Sequence, residues 1–309
     1  MFKGFMKNKV VWAYRGATGA AILTFCAYYA PHTLLLSRYK DFMTCYECGK
    51  ETKLPEKILD RFDKACRLLP LKDREVKLLK PFCSFGFDLF QAGTTKSHYG
   101  ALIGIPFNYF YSSEPEIDRT NVKLQTKSVN WNSEDGKLLA ESLILKEDEQ
   151  IYGMAHSILM TSSHQKLLNA SYASGSILGV YALGYFINRK LQTLTRPFIF
   201  RGVIYCLVSF FGFGMWAFIK DSTNVYYEGA ADEALGSLGP EVADAGARFY
   251  GKLMNKNKAL RGITQKNYYT NEGDIWYVVR TKSFPFTIRK AMLEQKLKEF
   301  QQPKEEIAQ

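Results

Sequence analysis

The chain has 309 residues, 47% of them apolar and 15% aromatic, and a formal net charge of +11. That length leaves room for one or two domains, and this apolar and aromatic content excludes a disordered chain. The positive charge argues against nucleic acid as the partner, because it gathers at the flanks of apolar runs and no aromatic-studded RNA motif accompanies it.

The N-terminus carries Lys3, Lys7, Lys9, Arg15, Arg38 and Lys40 before its first acid, Asp41. This suits a mitochondrial targeting or matrix-side leader followed by an uncleaved span over Gly16 to Leu36, with a signal anchor for the endoplasmic reticulum and a cleaved leader as the competing readings. Pro31 and His32 near its far end make this span weaker than the two below. Just beyond it Cys45 and Cys48 form a C-x-x-C. That spacing suits a disulfide, half a metal site or a redox pair, but zinc needs a second pair and none follows, so ordinary thiols are the simpler account.

Pro55 opens an amphipathic helix whose apolar face is Ile58, Leu59, Phe62, Ala65, Cys66 and Leu69. After Pro81 the texture changes to CSFGFDLF and YGALIGIPFNYFY, which predicts strands punctuated by glycine. Val122 to Val129 alternates in part, and Asp135-Gly136 signals a hairpin turn into a strand over KLLAESLIL. A small sheet of three or four strands is expected. From Glu147 the period becomes helical, with Ile151, Met154, Ala155, Ile158 and Leu159 on one stripe. Glu147, Asp148 and Glu149 at its start answer the helix dipole rather than forming a catalytic cluster.

Two apolar runs follow, Leu167 to Ile187 and Phe198 to Ile219, each near the ~20 residues a helix needs to cross a bilayer. They predict a transmembrane hairpin. Its turn and the start of the second run hold Arg189, Lys190, Arg196 and Arg201 without an acid, which places the turn on the side of insertion. Ser171, Gly175 and Gly179 recur every four residues on one helix face, a candidate packing surface for the second run or for a partner's helix. Beyond the hairpin, Ala230 to Leu238 and the stretch around Phe249, Tyr250, Leu253 and Met254 read as helices. Trp276 to Arg280 reads as a last strand, Arg289 to Phe300 as a short helix, and Gln301 onward as a polar tail. No P-loop, dinucleotide fingerprint or other small-molecule signature is present, and no cofactor is expected.

Across residues 80 to 290 the chain resembles the transmembrane protein 177 family. The resemblance is carried by Lys80-Pro81-Phe82, Gly104-Ile105-Pro106, Val129-Asn130-Trp131, Leu143 to Leu145, Gly246 with Phe249-Tyr250 and Lys252-Leu253, Asn257 with Ala259-Leu260-Arg261, and Pro285 with Thr287 and Arg289. It implies a protein of the mitochondrial inner membrane whose partners are newly made cytochrome c oxidase subunit II and that subunit's dedicated assembly chaperone.

A fainter likeness covers GKLLAESLILKEDEQIYGMAHSILM, which is similar to the strand and active-site helix of membrane-embedded zinc endopeptidases of the HtpX and CAAX-processing type. Those carry H-E-x-x-H on one helix face and, after a membrane hairpin, E-A-D on a second helix. Here His156 falls on the first ligand position, Ser157 replaces the base, Met160 the second ligand and Ala230 the third, while Asp232 matches the Asp. One imidazole, a hydroxyl and a thioether cannot hold zinc and activate its water. The expectation is therefore an α+β integral membrane protein with three transmembrane helices and a pseudo-peptidase domain that does no catalysis. Its parts are a basic N-terminus with a first span (1–36), a first soluble segment (37–166), the hairpin (167–219) with its basic turn (188–201), and a second soluble segment with the tail (220–309). The turn would face the matrix and the domain the intermembrane space. The rivals are a membrane zinc metallopeptidase using His156, and a C-x-x-C thiol or copper handler using Cys45 and Cys48.

Overall fold

The computed structural model describes residues 2–119, 122–124 and 127–301, so the polar tail beyond Gln301 lies outside the described residues. Helix α1 (Phe2–Tyr29) leads through a 3-10 turn over Ala30–His32 into α2 (Leu36–Met43). The expected single span over Gly16 to Leu36 is thus broken. The helix that runs to His32 and α2 meet at 58°; Pro31, which supplies no N–H, sits in the 3-10 turn just before the break. The Thr33 hydroxyl donates to the Tyr29 carbonyl at 2.9 Å and closes the helix end.

A two-strand ribbon, β1 (Tyr46–Glu47) and β2 (Lys50–Glu51), precedes α3 (Glu56–Leu68) and α4 (Asp73–Leu78). Helix α3 starts where the sequence places it, after extended Pro55, and turns Ile58, Phe62, Ala65 and Cys66 inward. The main sheet comprises β3 (Leu79–Ser84), β4 (Phe90–Thr94) and β5 (Gly100–Pro106) in the order β3-β5-β4. β3 runs parallel to β5 and β4 antiparallel to it. β5 is buried along its whole length. Gly100, at φ 84°, leaves no room for a Cβ, which would sit 2.6 Å from the Leu78 carbonyl oxygen.

The alternation over Val122 to Val129 lies partly outside the described residues; within them β6 (Lys123–Leu124) pairs antiparallel with β7 (Lys127–Ser128). The strand expected after Asp135-Gly136 is instead helix α5 (Glu134–Leu143). The Ser133 hydroxyl accepts from the Gly136 N–H at 3.1 Å, and Glu134 and Asp135 complement the helix N-terminus. Gly136, Leu139, Ala140 and Leu143 are buried at helical rather than alternating spacing.

Helix α6 (Glu147–Thr161) opens with its three acids, Glu149 accepting from the Lys146 N–H at 2.9 Å. Helices α7 (Gln165–Leu191) and α8 (Phe198–Gly236) form the hairpin, and α1 packs against α7. Helix α8 is long and apolar enough to cross a membrane, and only 11% of its most apolar window is buried. Phe198, Ile199, Phe210 and Phe218 project from it unburied. The α1–α2 pair reaches the same standard only if the bent unit is one span, while α7 is diluted by Ser171, Ser174, Ser176 and its glycines. The helix expected from Ala230 is not separate: α8 continues through it without a break.

Helix α9 (Pro240–Thr264) begins with proline in its first turn and ends at left-handed Gln265, and α10 (Phe286–Gln301) lies against it. Between them, Trp276 to Arg280 forms no strand; a lone bridge between Tyr269 and Ile275 is the only pairing there among the described residues. The main core joins both sides of the hairpin, with Ile58, Phe62, Ile103, Ile105, Met154 and Ile158 from before it and Leu235, Tyr250 and Leu293 from after it. Each such large apolar side chain, fully buried, contributes about 1.5–3 kcal/mol.

Candidate functional site

Four helices converge on one buried polar centre. Helix α6 supplies Tyr152 and His156, and α8 supplies Glu228 and Asp232; in each pair the spacing of four puts both side chains on one helix face. Helix α9 adds Tyr250 and α10 adds Arg289. Two glycines make the approach possible. A Cβ on Gly246 would lie 2.4 Å from the Tyr152 ring, and one on Gly153 would lie 2.7 Å from the Tyr109 hydroxyl.

Asp232 is fully buried and accepts from the hydroxyls of Tyr152 at 2.8 Å and Tyr250 at 2.7 Å on one oxygen, and from Arg289 Nε at 2.5 Å on the other. Burial works against its charge, but Arg289 and these hydrogen bonds hold the carboxyl below the usual range. The Arg289 guanidinium lies 4.4 Å over the Tyr250 ring, and despite burial the surrounding negative groups hold its pKa above the ordinary value. Its second terminal nitrogen is 2.5 Å from His156 Nε2. A guanidinium can only donate, so Nε2 is the unprotonated acceptor and Nδ1 carries the ring proton. The Glu228 main chain takes a further hydrogen bond from the ring. Burial first, and the Arg289 charge second, push the imidazole down to about 4, so His156 is neutral at physiological pH. Glu228, whose pKa is raised mainly by burial, accepts from the Phe284 N–H at 2.6 Å and stands 4.0 Å from Arg289.

This centre floors a cleft of about 390 Å³ walled by β4, α6 and α9. Gln91 Oε1, Asn108 Oδ1 and Tyr109 Oη line that cleft buried and without a hydrogen-bond partner. Asn108 is 4% and Tyr109 2% exposed, so these atoms are costly to leave unmatched.

The structure brings His156 and Asp232 together, with His156 Nε2 3.7 Å from the nearer Asp232 oxygen. Ser157 is buried and faces the cleft. Met160 is buried and Ala230 half-buried, and neither contributes to the polar centre; the further carboxylate from α8 is Glu228. Among the described residues no three His, Cys, Asp or Glu side chains converge as a metal ion would require. Cys45 does not meet Cys48. It hydrogen-bonds Cys83, whose thiol burial pushes up to about 12, while Cys48 is exposed in the β1–β2 turn at φ 51°.

Ser171, Gly175 and Gly179 line a groove of about 350 Å³ between α7 and α8. A Cβ on Gly175 or Gly179 would meet nothing within 4 Å. Close packing of the two helices is made elsewhere, at Gly212 against Val180.

Tyr250 and Arg289 entered the sequence reading only in predicted helices and among the residues of the family resemblance, and Tyr152 and Glu228 were not singled out at all. The spacing of Tyr152 to His156 and of Glu228 to Asp232 would have pointed to two of them.

Comparison with known proteins bears on about two thirds of the chain. The human protein named Transmembrane protein 177 is 30% identical over 218 residues, 68% of this chain and 69% of its own. Those of Rattus norvegicus and Xenopus laevis are 29% and 28% identical, each match covering 70% of the relative. No protein-family model and no solved structure matches.

Proposed function

The chain belongs to the transmembrane protein 177 family, and from that premise we propose that it is a non-catalytic membrane scaffold that stabilises newly made cytochrome c oxidase subunit II and its dedicated chaperone in the mitochondrial inner membrane. The observation that carries the non-catalytic reading is the seat of Arg289. Its guanidinium holds the His156 Nε2 lone pair and one Asp232 oxygen, so the place where a divalent cation would polarise water is filled by a tethered cation that can do neither Lewis-acid nor base chemistry.

In this reading α1, α7 and α8 are three spans, with the basic N-terminus and the Arg189 to Arg201 turn on the matrix side and the domain in the intermembrane space. Rings of α1 reach both other helices, Tyr14 to Tyr181 at 6.2 Å and Tyr28 to Trp216 at 6.3 Å, which supports a three-helix unit. The groove at Gly175 and Gly179 supplies a surface on which a client's membrane helix can pack closely. The cleft above the polar centre is the matching surface on the domain.

Affinity capture and crosslinking from mitochondria test the proposal, comparing wild type with a Gly175→Leu, Gly179→Leu variant. Wild type is expected to recover oxidase subunit II and its chaperone, and the variant, at normal abundance, to lose them. Capture retained by the variant moves binding to the domain, and failure of wild type to capture either sinks the assignment. About one zinc per chain, lost on His156→Ala, would overturn the non-catalytic reading.

A further inference from the structure

The segment between α9 and α10 exposes Val278 at 85% and Val279 at 89%, with Trp276 beside them at 55%. Two adjacent aliphatic side chains left almost wholly in water are costly, and the segment is not loose. Arg280 holds Asp221 with two hydrogen bonds, Nε to Oδ2 at 2.7 Å and Nη2 to Oδ1 at 3.1 Å. The Phe284 N–H donates to Glu228 at 2.6 Å, and the Tyr277 and Ser283 hydroxyls meet at 2.8 Å.

These tethers give the segment a direction. Asp221 follows the last apolar residue of the α8 span by two positions, and Glu228 lies about 10 Å farther up the same helix at 1.5 Å per residue. From Phe284 back to Arg280 the chain therefore runs down α8 towards the membrane. Val279 and Val278 come next. They lie within about 7 Å of Arg280 at the reach of an extended chain, which is about the depth of one headgroup layer above the hydrocarbon. Trp276 is the residue type that anchors at this level; Lys282 follows in the same segment and Lys220 precedes Asp221 on α8, cations suited to anionic headgroups.

We propose that Trp276 to Val279 is a membrane-inserting loop, with Val278 and Val279 in the acyl-glycerol boundary of the bilayer and Trp276 at its interface, clamping the domain against the surface that α8 leaves. It rests on α8 crossing the bilayer. The occupant is lipid, because Arg280, next to Val279, is bound to Asp221 at the end of the span, while the Trp276 N–H is held by the Tyr268 carbonyl of the domain and leaves the valines between these two tethers facing out.

The test uses the full chain in vesicles containing lipids brominated either near the glycerol or near the chain end. Subtracting the fluorescence of Trp276→Phe from that of wild type isolates Trp276, and Trp216→Phe isolates a tryptophan within α8. Trp276 emission is expected to be lost to lipid brominated near the glycerol and shielded from aqueous iodide. A Val278→Asp, Val279→Asp variant is expected to expose it to iodide while leaving the Trp216 signal unchanged. Trp276 open to iodide and untouched by brominated lipid, with Trp216 quenched by that lipid, overturns the loop alone. If Trp216 is also untouched, the span itself fails and the loop with it.

Discussion

Replacing Arg289 by Met removes the cation and keeps much of the side chain's bulk. Asp232 would then remain fully buried, held only by the hydroxyls of Tyr152 and Tyr250. Breaking a buried pair from one side leaves an uncompensated charge and costs about 3–5 kcal/mol, less what proton uptake by the carboxylate recovers. At about 2–4 °C per kcal/mol for a domain of this size, the midpoint should fall by about 10 °C. Hydrogen exchange of the full chain in nanodiscs is the more direct assay, since it reads the opening free energy of α6 and α10 separately from the membrane helices. The double variant Arg289→Met, Asp232→Asn removes the charge as well as its partner and should recover more than half of the loss. A single variant whose α6 and α10 amides stay within about 1 kcal/mol of wild type would refute the account of Asp232 as a charge dependent on Arg289.

Acid should loosen the same centre. The folded His156 titrates at about 4 against an ordinary 6.5, so below pH 6.5 the unfolded chain takes up a proton that the folded chain refuses. Stability present above pH 6.5 is thus lost down to about pH 4, by about 3 kcal/mol in all, with Asp232 adding to the loss as pH falls through its lowered pKa. His156→Gln should flatten the slope of unfolding free energy between those limits; an unchanged slope would assign it to other groups. Gly246→Ala should cost about 1–3 kcal/mol, because its Cβ drives into the Tyr152 ring. Gly251→Ala on the same helix meets nothing and should stabilise by about 0.5–1 kcal/mol, so equal unfolding midpoints for the two would contradict the packing. Maleimide labelling of the native protein should modify Cys48 first and reach Cys83 only on unfolding.

Long periodic helices were legible because their apolar spacing states both period and face, as at Ile58, Phe62 and Ala65. Local turn chemistry was not. Asp135-Gly136 matches a hairpin turn, yet Ser133 caps the same residues as a helix, and the competition is settled by Leu139 and Leu143 packing with Ala259 and Leu260 on α9. Trp276 to Arg280 has strand composition, but its β-branched residues have no neighbouring strand; Arg280 is bound to α8 instead. The peptidase-like alignment found His156 and Asp232, since those positions stand in a recognisable frame. Arg289 was invisible as their partner because nothing local in a sequence marks a contact across 57 positions, from Asp232 to Arg289.

The polar centre also bears on how α8 is presented. A buried ion pair contributes little net stability beyond well-packed apolar side chains of similar volume, so its weight lies in selecting one arrangement. Methyl groups from α6 and α10 would tolerate α8 slipping along its axis. Asp232 cannot slip, because Tyr152, Tyr250 and Arg289 meet it from three other helices. Helix α8 runs unbroken from Gly212, on the groove wall, to Asp232, about 30 Å along its axis. A slip of one residue at the centre would turn the groove wall by about 100°. The double replacement Asp232→Leu, Arg289→Met should therefore keep the unfolding free energy within about 2 kcal/mol of wild type. It should nonetheless broaden the distances measured by spin labels between α6 and the membrane half of α8. Distances as narrow as in wild type would leave the register to apolar packing alone.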